Sequence, residues 1–130
     1  MRIGISTACF YPQMPEQALP VIAGLGVRAI EVFFNTESEF SPRYYEQLGA
    51  QARSLGLEVI SIHPYTSLME GMLLFSDYRR RTEDGMMQYQ RYFECAAALG
   101  MKQPPQALSA SCQKSLFPAY NSQSRTSAVL

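Results

Sequence analysis

Apolar positions in the first hundred residues alternate between short β-branched runs and longer stretches with helical spacing. Three runs read as strands: Arg2–Thr7 (RIGIST), Val27–Phe34 (VRAIEVFF) and Leu57–His63 (LEVISIH). The third carries Val59-Ile60-Ser61-Ile62, the β-branched content expected of a parallel strand covered by helices. The spacing predicts a first helix over about Glu16–Leu25, with Leu19, Ile22 and Ala23 on one side. Pro20 implies that this helix is kinked or becomes regular only near Leu19, because an interior proline loses its hydrogen bond and crowds the carbonyl four residues back. The second helix has a full set of boundary signals: Ser41 as N-cap, Pro42 at the first helical position and Gly56 as stop. Tyr45, Leu48, Ala52 and Leu55 form its apolar stripe. A third helix is predicted over Ser76–Leu99, ending at Gly100, with Gly85 as a break and Met86, Tyr89, Phe93, Ala96 and Ala97 as its buried stripe.

The strand ends Thr7, Phe34 and His63 lie 27 and 29 residues apart, close to the roughly 31 residues per unit of a (β/α)₈ barrel. The fold class this predicts is α/β: an incomplete (β/α)₈ TIM barrel of about three β/α units with parallel strands, spanning residues 1–102. Where a fourth strand is due, the chain reads Pro104-Pro105, and proline is excluded from central strands. Every Asp and Glu lies at or before Glu94, and beyond Lys102 the charges are Lys114 and Arg125. The break predicts an irregular, largely disordered tail over 103–130, out of pattern with what precedes it. A shifted reading frame from about residue 103 would produce such a junction. The Pro64–Phe75 connection is long beside the ~2–6 residues usual between strand and helix, which marks it as functional.

Eleven basic residues balance eleven acidic ones, so no net charge draws the chain to nucleic acid or an anionic membrane. No run approaches the ~18 apolar residues of a membrane helix, and residues 1–12 lack the h-region and cleavage site of a signal peptide. Cys9, Cys95 and Cys112 are odd in number and form no CxxC pair, which points to reduced thiols and a cytoplasmic protein. The Gly24-Leu25-Gly26 pair precedes a strand, so it is no dinucleotide fingerprint.

In a parallel β/α array the strand C-termini open on one face, where ligands bind. That face should gather Thr7, Cys9 and Phe10, then Glu31 and Asn35, then His63 and Tyr65. His63 is the sole histidine. A neutral imidazole there can ligate a divalent metal or bond a sugar hydroxyl; the plainer reading is a strand-end histidine bonded to a nearby carbonyl. Glu31 sits among apolar neighbours and needs either a partner or an opening to solvent. It is a candidate substrate-binding residue with His63, or else the acid of a structural ion pair with Arg2 or Arg28. Arg79-Arg80-Arg81 reads as a solvated helix face, paired at i, i+4 through Asp77–Arg81, Arg79–Glu83 and Arg80–Asp84. Cys9 reads as a buried or half-buried thiol, since no second histidine exists to activate it. Met69, Met72, Met86 and Met87 read as packing beneath the long connection.

With GIST in the first strand, IEVFF in the second and VISIHPY in the third, residues 1–102 resemble the N-terminal part of the xylose isomerase-like TIM-barrel superfamily. That superfamily includes sugar phosphate isomerases and epimerases, and the endonuclease IV type of abasic-site nuclease. The resemblance implies a small sugar or sugar phosphate as substrate and a divalent metal (Mn, Mg or Zn) as cofactor. His63 matches a third-strand histidine that ligates metal in the nuclease branch and faces substrate in the sugar branch; Glu31 matches a second-strand acid of the sugar branch. The family's further metal ligands and its acid–base residues come from later strands, so no catalytic residue is assigned here. The reading is a truncated homologue, not catalytically competent alone and holding metal weakly if at all. Two alternatives remain, a fragment of the nuclease branch and a non-catalytic module that needs a partner. No nucleic acid or membrane partner is expected, and open sheet edges favour self-association.

Overall fold

The computed structural model describes residues 3–102; the predicted tail over 103–130 lies outside the described residues. The chain runs β1 (Gly4–Ser6), α1 (Pro15–Gly24), β2 (Ala29–Phe34), α2 (Pro42–Ser54), β3 (Glu58–Pro64), α3 (Ser67–Leu74) and α4 (Arg79–Ala98). Single 3₁₀ turns at Thr7–Phe10 and Glu37–Phe40 follow β1 and β2. The strands pair in parallel in the order β1-β2-β3. The fold is therefore α/β, with all three strands close to where the apolar pattern put them.

Ile30, Val32 and Phe34 of β2 and Val59 and Ile62 of β3 bury their side chains with Leu19 and Ile22 of α1, Leu48 and Ala52 of α2, and Tyr89, Tyr92 and Cys95 of α4. One face of the sheet is thus sealed by helices. No helix among the described residues is long and apolar enough to cross a membrane.

α1 runs through Pro20 and begins well before Leu19. The missing Pro20 N–H would have bonded the Glu16 carbonyl. Gln51 Nε2 donates to that carbonyl from α2 at 2.9 Å, so the orphan acceptor becomes an inter-helix link. α2 starts at Pro42 after Ser41, as predicted, although the Ser41 side chain makes no capping bond. Gly56 and Gly100 end α2 and α4 in the left-handed region, at φ +67° and +81°, where a Cβ would be strained. At Gly49 a Cβ would stand 2.9 Å from the Ala98 carbonyl oxygen. That absence of side chain lets α2 and α4 cross closely.

Four expectations need correction. The Pro64–Phe75 connection is not an open loop: it contains α3, whose SLMEGMLL sequence is apolar on almost every side and so shows no helical period. Gly85 does not break α4. It lies buried where a Cβ would come within 3.1 Å of Leu73 Cβ, so its role is contact with α3. The buried stripe of α4 is Gly85, Tyr89, Tyr92, Cys95 and Ala96, while Ala97 is exposed and Met86 half-buried. Tyr92 displaces them because its ring packs on Phe40 at 5.0 Å and its hydroxyl bonds that of Thr66. Finally, Met69, Met72 and Met87 are exposed, so the methionines are not packing beneath the connection.

Candidate functional site

The uncovered face of the sheet is fixed by strand register. Ser6 pairs with Glu31 and Glu31 with Ser61, while Phe33 pairs with His63. Directly paired residues point to the same side, so Ser6, Glu31, Ser61, Phe33 and His63 share one face, all partly exposed. His63 is the diagonal neighbour of Glu31 across β2 and β3.

This arrangement depends on a bulge. The register between β2 and β3 shifts at Ile30/Glu31, leaving Ile60 as an extra residue between Val59, opposite Ile30, and Ser61, opposite Glu31. Strict alternation from the buried Val59 would have turned His63 towards the helices and Ile62 to the open face. One inserted residue reverses the phase. Ile62 enters the core, His63 joins Glu31, and Ile60 stands half-exposed.

The His63 ring lies against Phe33, with centroids 4.8 Å apart. Its Nε2 is 3.1 Å from the Ser67 hydroxyl at the start of α3. The bond is thus to a hydroxyl, not to the carbonyl of the plainer reading. The Glu31 carboxylate makes no hydrogen bond or ion pair with another described residue, and Arg2, one of the partners considered for it, lies outside the described residues. Arg28, the other, instead donates to the Leu55 carbonyl at 3.2 Å.

The other residues expected on this face take separate positions. Thr7 is buried, and its Oγ1 accepts from the Phe33 N–H at 2.9 Å, prolonging the β1–β2 ladder beyond Ser6. The Asn35 N–H donates to Glu39 at 2.5 Å, and burial raises the Glu39 carboxyl above its ordinary range. The Tyr65 hydroxyl donates to Glu37, which Arg91 of α4 also holds at 2.5 Å. Phe10 is half-buried. Cys9 is exposed, not buried or half-buried as expected, because the 3₁₀ turn carries it outward. Of the arginine pairs, Arg79–Glu83 closes at 2.7 Å. The other two do not form among the described residues: Arg81 instead lies over the Tyr78 ring, 5.9 Å from its centroid.

Ser67 is the residue that sequence reasoning missed. Its signal was the Thr66-Ser67 pair opening the segment after Pro64, hidden because α3 itself was not anticipated.

The chain matches no protein-family model, and comparison with curated proteins finds no relative. The chemistry must therefore be read from the face itself. It presents an aromatic ring, an imidazole, a carboxylate and two serine hydroxyls on one face of the sheet, an apolar surface beside hydrogen-bonding groups. It offers a divalent metal two donors, Glu31 and His63. Among the described residues no group of three His, Cys, Asp or Glu comes together, and typical catalytic zinc sites use three protein ligands. The face as described does not fit a resident metal on its own.

Proposed function

We propose that this face is part of the inner wall of a sugar or sugar phosphate isomerase/epimerase site. On this reading residues 1–102 are the first three β/α units of a (β/α)₈ barrel, and residues supplied from elsewhere complete the site. The observation that carries the proposal is the β3 bulge. It costs a ladder position and exposes an isoleucine, and its effect is to put the sole histidine beside Glu31 on the uncovered face. The strand order and parallel pairing support the reading too, since barrels add consecutive parallel strands side by side.

In reactions of this class a proton moves next to a carbonyl, with carboxylates acting as acid and base and a divalent metal, when bound, polarising substrate oxygens. His63, oriented by Ser67 and Phe33, would bond a substrate hydroxyl, and Glu31 would accept from another. Neither has a described partner placed to carry the proton transfer, so the face binds and orients.

Two assays test this. The chain in D₂O with a ketose phosphate should show no solvent exchange at the carbon next to the carbonyl; exchange above background would mean that it holds a complete catalytic set. Calorimetric titration with Mn²⁺ should give millimolar affinity that His63→Ala removes. Micromolar binding abolished by His63→Ala would contradict the part-site reading, and weak binding that survives the substitution would remove His63 as a ligand.

A further inference from the structure

α3 differs from the other described helices in having no buried residue. One side is nonetheless committed. Glu70 accepts from the Tyr89 hydroxyl at 2.5 Å, Thr66 at the N-cap bonds the Tyr92 hydroxyl, and Leu73 and Leu74 close over Gly85. The opposite side carries Leu68, Met72 and Phe75 at i, i+4 and i+7, exposed to 92%, 67% and 86%, flanked by Met69 at 57%. A helix that is apolar all round belongs in an interior. α3 has half of one.

We infer that the exposed side of α3 is an isologous interface at which two copies of this chain pair. Three observations select a second copy as the occupant. The first is area: at roughly 200 Å² per large side chain, the exposed fractions leave about 600 Å² of apolar surface. Wholly buried against each other, two such faces would remove about 1,200 Å² from water, the lower bound for a specific interface, and each stands at the upper end of the ~300–600 Å² patch of a lone monomer.

The second is charge. The side chains on this face are uncharged, Glu70 being turned to Tyr89, and the whole chain has formal net charge +0. Neither the patch nor the molecule repels its twin, whereas a charged partner would gain nothing here. The third is shape. Gly71 lies between Leu68 and Phe75 on the same face, and a Cβ there would meet nothing within 4 Å. Antiparallel pairing about a two-fold near Gly71 seats a Leu68 or Phe75 side chain of each copy in the notch of the other. This contact uses a helix face, so it is separate from any pairing of sheet edges.

Sedimentation equilibrium on the full chain is the test. The wild type should show a reversible monomer–dimer equilibrium in the micromolar range. Leu68→Glu with Met72→Glu should be monomeric at every concentration with an unchanged far-ultraviolet dichroism spectrum, while Ile60→Lys, on the sheet, should dimerise as the wild type does. In a Cys9→Ser, Cys112→Ser background, Gly71→Cys should oxidise to a covalent dimer. A monomeric wild type would overturn the proposal. So would a dimer insensitive to the double substitution, a dimer lost on Ile60→Lys, or a Gly71→Cys chain that dimerises without cross-linking.

Discussion

The Thr7 hydroxyl completes the β1–β2 ladder where the β1 backbone turns away, accepting the Phe33 N–H at 2.9 Å in a buried setting. Thr7→Val keeps the shape and orphans that donor, so urea unfolding should show a loss of about 1–3 kcal/mol. The sequence could not separate this role from a ligand-facing one. A threonine at a strand end serves either purpose, and the deciding partner lies 26 positions away. The need of Glu31 for an opening or a partner was legible because a carboxylate in an apolar strand is costly to bury alone, whereas His63 was placed only by standing at a strand end. Ser67 was not legible, since nothing local ties a hydroxyl to an imidazole four residues earlier. The two described thiols divide by burial, which pushes the Cys95 thiol up to about 12 while Cys9 is exposed. Disulfide reagents near pH 8 should modify Cys9 promptly and reach Cys95 at the rate of unfolding. Prompt native-state reaction of Cys95, read by peptide mass, would contradict that burial.

At the scale of elements, the capped and periodic segments were readable and the compensated ones were not. α2 had proline and glycine at its ends and a clean stripe, and it forms as expected. α1 carries a proline that sequence rules treat as a breaker, yet Gln51 satisfies the freed Glu16 carbonyl; tertiary contact overrides the local rule. The β3 bulge was invisible because VISIH alternates acceptably in either phase, and only pairing with β2 selects one. Two substitutions probe the helix contacts. Gly49→Ala should cost about 1–3 kcal/mol by overpacking the α2–α4 crossing, a fall in thermal midpoint that Gly24→Ala, where a Cβ meets nothing within 4 Å, should not reproduce. Tyr89→Phe should cost about 1–3 kcal/mol, because Glu70 Oε1 has no described partner and the lost bond was the carboxylate's link to α4. Hydrogen exchange should then show α3 amides opening before those of α4.

For the whole molecule, the protons held by the Cys95 thiol and the Tyr44 and Tyr89 hydroxyls should set the alkaline limit. Burial raises Cys95 above its ordinary 9.0, and burial with a carboxylate bond raises Tyr44, against Glu16, and Tyr89, against Glu70, above their ordinary 10.0. The folded state keeps these protons longer than the unfolded chain does. Their contribution is therefore fully present below about pH 9 and lost as pH climbs through the folded values. Urea midpoints should fall from about pH 9 upward, and Cys95→Ala should flatten the first part of that fall. The α/β class and parallel order were legible from the rhythm of apolar runs, whereas the uncovered face became visible only once register was fixed. The single histidine among 130 residues lies on that face and gives one imidazole Cε1–H resonance by which to watch it. Titrating the metal-free chain with a sugar phosphate should move this resonance saturably at millimolar ligand, and Glu31→Gln should weaken the response. A His63 signal that stays fixed throughout the titration would contradict the proposal that this face binds a sugar.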